Sequence, residues 1–336
     1  MVRSTELPRT NDVNTDLTLS HVSEARQWID PIFLNTPQYE DELLCREVGR
    51  HVVMKIETSN PIRSFKARGV SFAMASLLPG AEVICASSGN FGQAVAYVAR
   101  SRGLRARVFT THDVNAAKRA RMEGFGARID DSWESLEAAR SAAAEFASKD
   151  PRVHLLTDGV PPSLAEGAAT IAQELTRTGA LDAVVVPIGD GSLISGIGLW
   201  MREYAPRTRV IGVNPASAPA MRQSRVRGTV TSVHVQDNFA EGISINRPHP
   251  ESLLRVLALV DDIVLVNEAE ILDAMATIFR YLSIAPEPAG AAGLATITNG
   301  RIDGQRVATI LTGANTASDR SPCFLTSLRP QVTAHD

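Results

Sequence analysis

Ala183-Val184-Val185-Val186-Pro187-Ile188-Gly189-Asp190-Gly191-Ser192-Leu193-Ile194-Ser195-Gly196 runs from an unbroken apolar stretch, through a glycine-rich turn, into residues that favour helix. An apolar run without polar alternation reads as a strand buried on both faces. The residues after the turn, Ile194 to Tyr204, read as the helix that covers it. Glycines let a backbone approach an anion such as a phosphate, and N–H groups at a helix start bind it. The turn lacks both Gly-Lys-Ser/Thr and the dinucleotide glycine spacing, so it is neither a Walker loop nor a Rossmann fingerprint. Asp190 opposes an anion there unless its carboxylate points away. By itself such a turn is weak evidence of function.

The same strand–helix alternation extends in both directions. Residues 51–56, 82–86, 105–110, 153–156, 209–214, 265–267 and 308–311 read as strands. Residues 65–78, 92–102, 116–123, 135–148, 163–177 and 268–281 read as helices, with Ser163 as a candidate N-cap after Pro161-Pro162. Alternation of this kind predicts α/β architecture with parallel sheets covered by helices, and ligands at the carboxyl ends of the strands. The polar, Thr/Ser/Asn-rich residues 1–25 read as a loose N-terminal arm.

The chain has 336 residues, 44% hydrophobic and 21% charged, with a formal net charge of -3. That is ample material for a core, and the length suggests about two domains. No basic stripe with interleaved aromatics predicts nucleic-acid binding. No apolar run predicts a membrane span, and the charged start has no signal-peptide core. Cys45, Cys85 and Cys323 lie far apart, which predicts no metal site and a reducing, cytoplasmic setting.

Two further loops carry chemistry. Ser64-Phe65-Lys66-Ala67-Arg68-Gly69 puts a lysine at a helix start, where the dipole disfavours a cation. An ordinary surface charge is the bland reading. In an apolar pocket the same amine would be a nucleophile. Ser87-Ser88-Gly89-Asn90-Phe91-Gly92-Gln93 lies between a strand and a helix. It offers hydroxyls, an amide and N–H groups suited to a carboxylate, or is simply a capped β–α turn.

Taken in order, SFKARG at 64–69, SSGNFGQA at 87–94, GDGSLISG at 189–196, EGISI at 241–245, PEPAGAAG at 286–293 and LTGAN at 311–315 resemble the fold-type II pyridoxal-phosphate enzymes, specifically the threonine/serine dehydratase and serine racemase group. The resemblance runs from about Phe33 to Asn315. It implies a two-domain, tryptophan synthase beta-like fold. The large cofactor-binding domain would comprise 1–79 and 159–336, and the small domain 80–158. It implies pyridoxal 5'-phosphate as cofactor, a small amino-acid substrate and a homodimer.

The resemblance also implies roles. Lys66 would carry the cofactor as a Schiff base, with Phe65 beside it. Asn90 would bond the pyridine 3'-oxygen. Ser87, Ser88, Gly89, Asn90 and Phe91 would take the substrate carboxylate, with Ser88 a second catalytic residue. Gly189, Asp190, Gly191, Ser192 and Leu193 would hold the phosphate. Gly242 would flank the ring, Glu287 would lie near the floor, and Thr312 would face the pyridine nitrogen. A neutral hydroxyl there weakens the electron sink and suits prompt loss of a β leaving group. The activity implied is α,β-elimination from a β-hydroxy amino acid such as threonine or serine. Racemisation, β-replacement and an inactive cofactor-binding scaffold are the alternatives.

The chain departs from the family pattern at several points. Arg63 replaces the glycine before Ser-Phe-Lys, and Phe91 replaces the histidine after Gly-Asn. Gly-Asp-Gly-Ser replaces four glycines, and Glu241-Gly242-Ile243 replaces Asp-Gly-Ile/Thr. The Val-Glu-Pro turn that binds a cation in several members reads Val213-Asn214-Pro215, so no metal is expected. The stop soon after Asn315 predicts no regulatory domain.

Overall fold

The computed structural model describes residues 15–235 and 239–316. In chain order the strands are β1 (Gln38–Glu40), β2 (His51–Ile56), β3 (Glu82–Ala86), β4 (Arg105–Thr111), β5 (Arg128–Trp133), β6 (Val153–Leu155), β7 (Ala183–Pro187), β8 (Arg209–Pro215), β9 (Asp262–Val266) and β10 (Arg306–Leu311). They form a six-stranded sheet, β1-β2-β10-β7-β8-β9, and a four-stranded sheet, β5-β4-β3-β6. All pairs are parallel except β1 with β2. The apolar run 183–187 is the fully buried β7, and helices pack on both faces of the larger sheet. Among the described residues no helix is long and apolar enough to cross a membrane.

Several expected boundaries move. The helix expected over 65–78 is Lys66–Ala73, because beyond it the N–H groups of Ala75 and Leu77 turn to the carbonyls three residues back, Phe72 and Met74, in place of four. The helix expected over 163–177 begins at Pro162. Pro161 stands at its N-cap position and Ser163 caps nothing. It breaks at Ala169 into Pro162–Ala168 and Thr170–Leu175. The first piece is wedged between neighbours at backbone contact. A Cβ on Gly69 would lie 2.4 Å from the Leu164 carbonyl oxygen, and one on Gly167 would lie 2.5 Å from that of Arg68. Of the arm expected over 1–25, the part up to residue 14 lies outside the described residues. From Leu19 to Trp28 the chain is a helix that buries Val22 and Ala25.

The helix that begins at Lys66 is fixed by buried charge. Arg68 is fully buried and bonded on every guanidinium nitrogen. It meets Glu57 at 2.8 and 2.9 Å, Glu174 at 2.8 and 3.0 Å, and the hydroxyls of Thr36 and Thr170. Lys55 Nζ donates to Glu174 Oε2 at 2.5 Å and to the Thr36 carbonyl at 2.8 Å. Two cations and two carboxylates therefore cancel, and the remaining polar partners satisfy the group. Burial alone would raise the Glu174 carboxyl, but Arg68 and Lys55 hold it down to about 2.

Removing one partner leaves a charge buried and unpaired. Arg68→Leu is expected to cost about 3–5 kcal/mol in urea unfolding, and a cost under about 1 kcal/mol would show the network to be dispensable. The Glu174 carboxyl lies well below its ordinary value of 4.5. Its contribution is thus complete above about 4.5 and is lost as pH falls toward about 2. Glu174→Gln should flatten acid unfolding in that window.

Candidate active site

Every loop singled out above emerges at the carboxyl end of a strand: β2 leads to Lys66, β3 to Ser87, β7 to Gly189 and β10 to Thr312. The loop before Lys66 is self-bonded. Asn60 Oδ1 accepts from the N–H groups of Ile62 and Ser64, and its Nδ2 donates to the carbonyls of Glu57 and Ser64. Arg63 sits at φ 52°, in the left-handed region that a glycine adopts freely. The loop is stitched to the end of β10 by Phe65 N–H donating to Thr312 O (3.2 Å) and Ala314 N–H donating to Arg63 O (3.0 Å). Thr312 is buried there.

Lys66 starts its helix from an uncapped Phe65. Its Nζ lies 5.2 Å from the centre of the Phe65 ring and 5.7 Å from that of Phe91. Two aromatic faces thus wall the amine, and an ion pair with Asp158 Oδ2 occupies its remaining side.

In the second loop, Ser87 Oγ accepts from the N–H groups of Gly89 (3.2 Å) and Gly92 (3.0 Å), leaving its own proton to donate. The helix starts at Asn90, two residues before its expected position. Asn90 Nδ2 donates to Glu287 Oε1, and its Oδ1 accepts from Asn315 Nδ2, both at 2.8 Å. Asn315 Nδ2 also donates to the Ile62 carbonyl, so one amide ties this loop to the segment before Lys66. Burial pushes the Glu287 carboxyl up, against Lys118 and its bonds from Asn315 and Asn90. Phe91 is buried. Ser88 Oγ donates to Glu241 Oε1 at 2.8 Å, and Lys118 pairs with the other oxygen of Glu241.

In the third loop, Gly191 takes φ 94° and hands over to the helix Ser192–Tyr204. A Cβ on Gly189 would lie 2.6 Å from the carbonyl oxygen of Gly242, so those two glycines meet backbone to backbone. The Ser192 hydroxyl is buried with no partner among the described residues. The Leu193 side chain belongs to the core beside β7. Asp190 is pushed up by burial and then by Asp158, against Arg140, Lys66 and His249. A carboxyl biased toward its neutral form removes much of the objection to an anion beside it. In the turn after β8, Asn214 spends its amide on Ile188 O and Arg222 N–H. No cluster of metal-ligating side chains occurs among the described residues.

Lys66, Phe65, Phe91, Asn90 and Thr312 are thus linked by direct contact or a shared bond. Sequence reasoning missed Asp158, Lys118, and the coupling of Glu241 to Ser88. Asp158 carried a usable signal, since it follows β6 as the other loops follow their strands. The pairing of Lys118 with Glu241 spans more than a hundred residues and has none.

Residues 29–313 match the family model described as pyridoxal-phosphate dependent enzyme. The L-threonine ammonia-lyase of Thermotoga maritima is 30% identical over 307 residues, covering 89% of this chain and 76% of its own. The serine racemase of Arabidopsis thaliana is 30% identical over 311 residues, covering 88% and 92%. A solved T.th. threonine deaminase superposes with a TM-score of 0.84 at 27% identity, covering 89% of this chain and 98% of that one. With so much of its length matched, the chain belongs to the pyridoxal-phosphate dependent enzymes.

Proposed function

We propose that this chain catalyses α,β-elimination from a small β-hydroxy amino acid such as serine or threonine, releasing a 2-oxo acid and ammonia. The observation that carries it is the convergence on Lys66, an amine between two aromatic rings with Asn90, Thr312 and a helix-start anion cradle around it. Relatives that are L-threonine dehydratases and an L-threonine ammonia-lyase support the reaction class.

The residues present fit pyridoxal phosphate. The unpartnered Ser192 hydroxyl and the left-handed Gly191 turn, at the start of a thirteen-residue helix, form an anion cradle of backbone N–H groups. Gly189, Asp190, Gly191, Ser192 and Leu193 would hold the phosphate without a lysine or arginine. Lys66 would carry the covalent link, Phe65 would flank the ring, Asn90 would serve the ring oxygen and Thr312 the ring nitrogen. When bound, the cofactor supplies the electron sink for breaking the α C–H bond. Lys66 Nζ takes the α proton, and Phe65 and Phe91 keep water from it. Ser87, Ser88 and the N–H groups of Gly89, Asn90 and Phe91 orient the substrate carboxylate. We also assign the small domain to 80–158 and the large one to the flanking segments, and propose a cytoplasmic homodimer.

One observation favours racemisation as a second reading. Racemisation needs proton exchange on both faces of the α carbon. The Ser88 hydroxyl, bonded to Glu241 with Lys118 behind it, is a group that can gain and lose a proton.

A coupled assay for 2-oxo acid over a panel of D- and L-amino acids separates the readings. Release from L-serine or L-threonine is expected, and rapid D/L interconversion without 2-oxo acid would overturn elimination. Lys66→Ala should lose at least about 10²–10⁴-fold in turnover, together with the long-wavelength absorbance of the bound cofactor. Ser88→Ala in heavy water should retain elimination from the L-substrate while losing any D-isomer chemistry, as read by chiral chromatography. Turnover should survive EDTA, because the turn after β8 offers no carboxylate to a hard cation. A magnesium-dependent rate would contradict this.

A further inference from the structure

Asp158, which no motif marked, touches the amine on which the proposed chemistry turns. Lys66 and Asp158 are well shielded, with side chains 18% and 14% exposed. The loop that carries Asp158 is fastened from behind. The carbonyl of Gly159 accepts from Arg255 and from the Ser252 hydroxyl, both at 2.9 Å, and that of Val160 accepts from Arg255 at 2.7 Å. Arg255 is buried, and its other donors meet the Asp16 carboxylate at 2.5 and 2.7 Å. Gly159 takes φ 83°, and a Cβ there would lie 2.6 Å from the Asp190 carbonyl oxygen. Asp158 is therefore presented to Lys66 by an anchored backbone. A surface carboxylate that had drifted onto a nearby lysine would have no such anchor.

The pairing matters because the rings of Phe65 and Phe91 offer Nζ no hydrogen-bond acceptor. An amine that must accept a proton from carbon needs help to hold it. A contacting carboxylate supplies that help. We propose that Asp158 is the positioning residue that aims Lys66 Nζ and holds its proton during elimination, an inference that rests on the reading of Lys66 given above. The α proton passes to Lys66 Nζ, which becomes an ammonium stabilised by Asp158. The same proton then passes to the β-hydroxyl as its C–O bond breaks, the bonding pair leaves on oxygen, and water departs. No oxidant or reductant is needed.

Other groups share the neighbourhood. Asp190 comes from the turn after β7, Arg140 from the helix Leu136–Ser148 and His249 from the cap of the helix Pro250–Leu259. Cys85 lies on β3, its thiol pushed up by burial and then by Asp158. Asp190 and Cys85 both feel the charge of Asp158, so the variant that keeps that charge, Asp158→Glu, holds this background steady while the shape of the side chain changes.

The test uses cofactor-loaded wild type, Asp158→Asn and Asp158→Glu. The long-wavelength absorbance of the bound cofactor and kcat are each followed against pH. Removing the anion disfavours the cationic form, so the Asp158→Asn absorbance should titrate about one pH unit lower than wild type. Its kcat should fall about tenfold or more, with KM nearly unchanged. Asp158→Glu restores the charge, so its titration should return toward the wild-type pH. An Asp158→Asn enzyme with wild-type titration and kcat would overturn the proposal. So would an Asp158→Glu enzyme that titrates like Asp158→Asn, since the effect would then be one of shape. Borohydride reduction and peptide mapping of the wild type test the underlying reading separately. Label on Lys55 or Lys118 in place of Lys66 would remove that reading, whatever the Asp158 variants do.

Discussion

Arg68 is buried, and burial obliges it to find acceptors for all its N–H groups, because an unpaired guanidinium in the core is more costly than the fold can bear. Its acceptors are four residues on three segments: Thr36, Glu57 after β2, and Thr170 with Glu174 on the helix Thr170–Leu175. These segments can meet only if the helix beginning at Lys66 lies in one position against the larger sheet. The backbone contacts of Gly69 and Gly167 then remove the freedom to slide along that position. Lys66 is two residues from Arg68, so the amine inherits the rigidity of the charge cluster without belonging to it. The arrangement separates the polar groups that set the fold from those available for chemistry.

Anchoring of this kind recurs around the site. Asn315 joins the loop before Lys66 to the loop of Asn90, and Arg255 ties the loop of Asp158 to Asp16 near the start of the described chain. In each case a side chain remote in sequence fixes the backbone, and a residue at a strand's carboxyl end is left pointing into shared space. Loops alone would not hold functional groups to such tolerances; loops tied to a rigid scaffold do.

The strands were legible wherever burial on both faces left a short apolar run, as at 52–54, 83–86 and 183–187. Helices with one apolar face, such as 268–281, were legible for the complementary reason. The helix Pro288–Thr298 was missed because it is buried all round and shows no polar face to set a period. The polar edge strand β5 offered no alternation. At the site, glycine and hydroxyl residues announced three loops. What stayed hidden was partnership. Nothing in the spacing of Asp158, Glu241 or Glu287 says which amine, hydroxyl or amide each will meet after the chain has crossed between sheets.

Glu241 joins the hydroxyl of Ser88 to the ammonium of Lys118, closing a contact between the loops that follow both sheets. On the proposed reading, a substrate carboxylate that binds at Ser88 meets a carboxylate already there. Capture is therefore a substitution of one anion for another, and its rate depends on how readily Glu241 lets go. Since Glu241 is about a third exposed, dissolved salt reaches the pair and loosens it. Ionic strength thus becomes a handle on capture, since screening that eases the release of the resident carboxylate frees the Ser88 hydroxyl sooner.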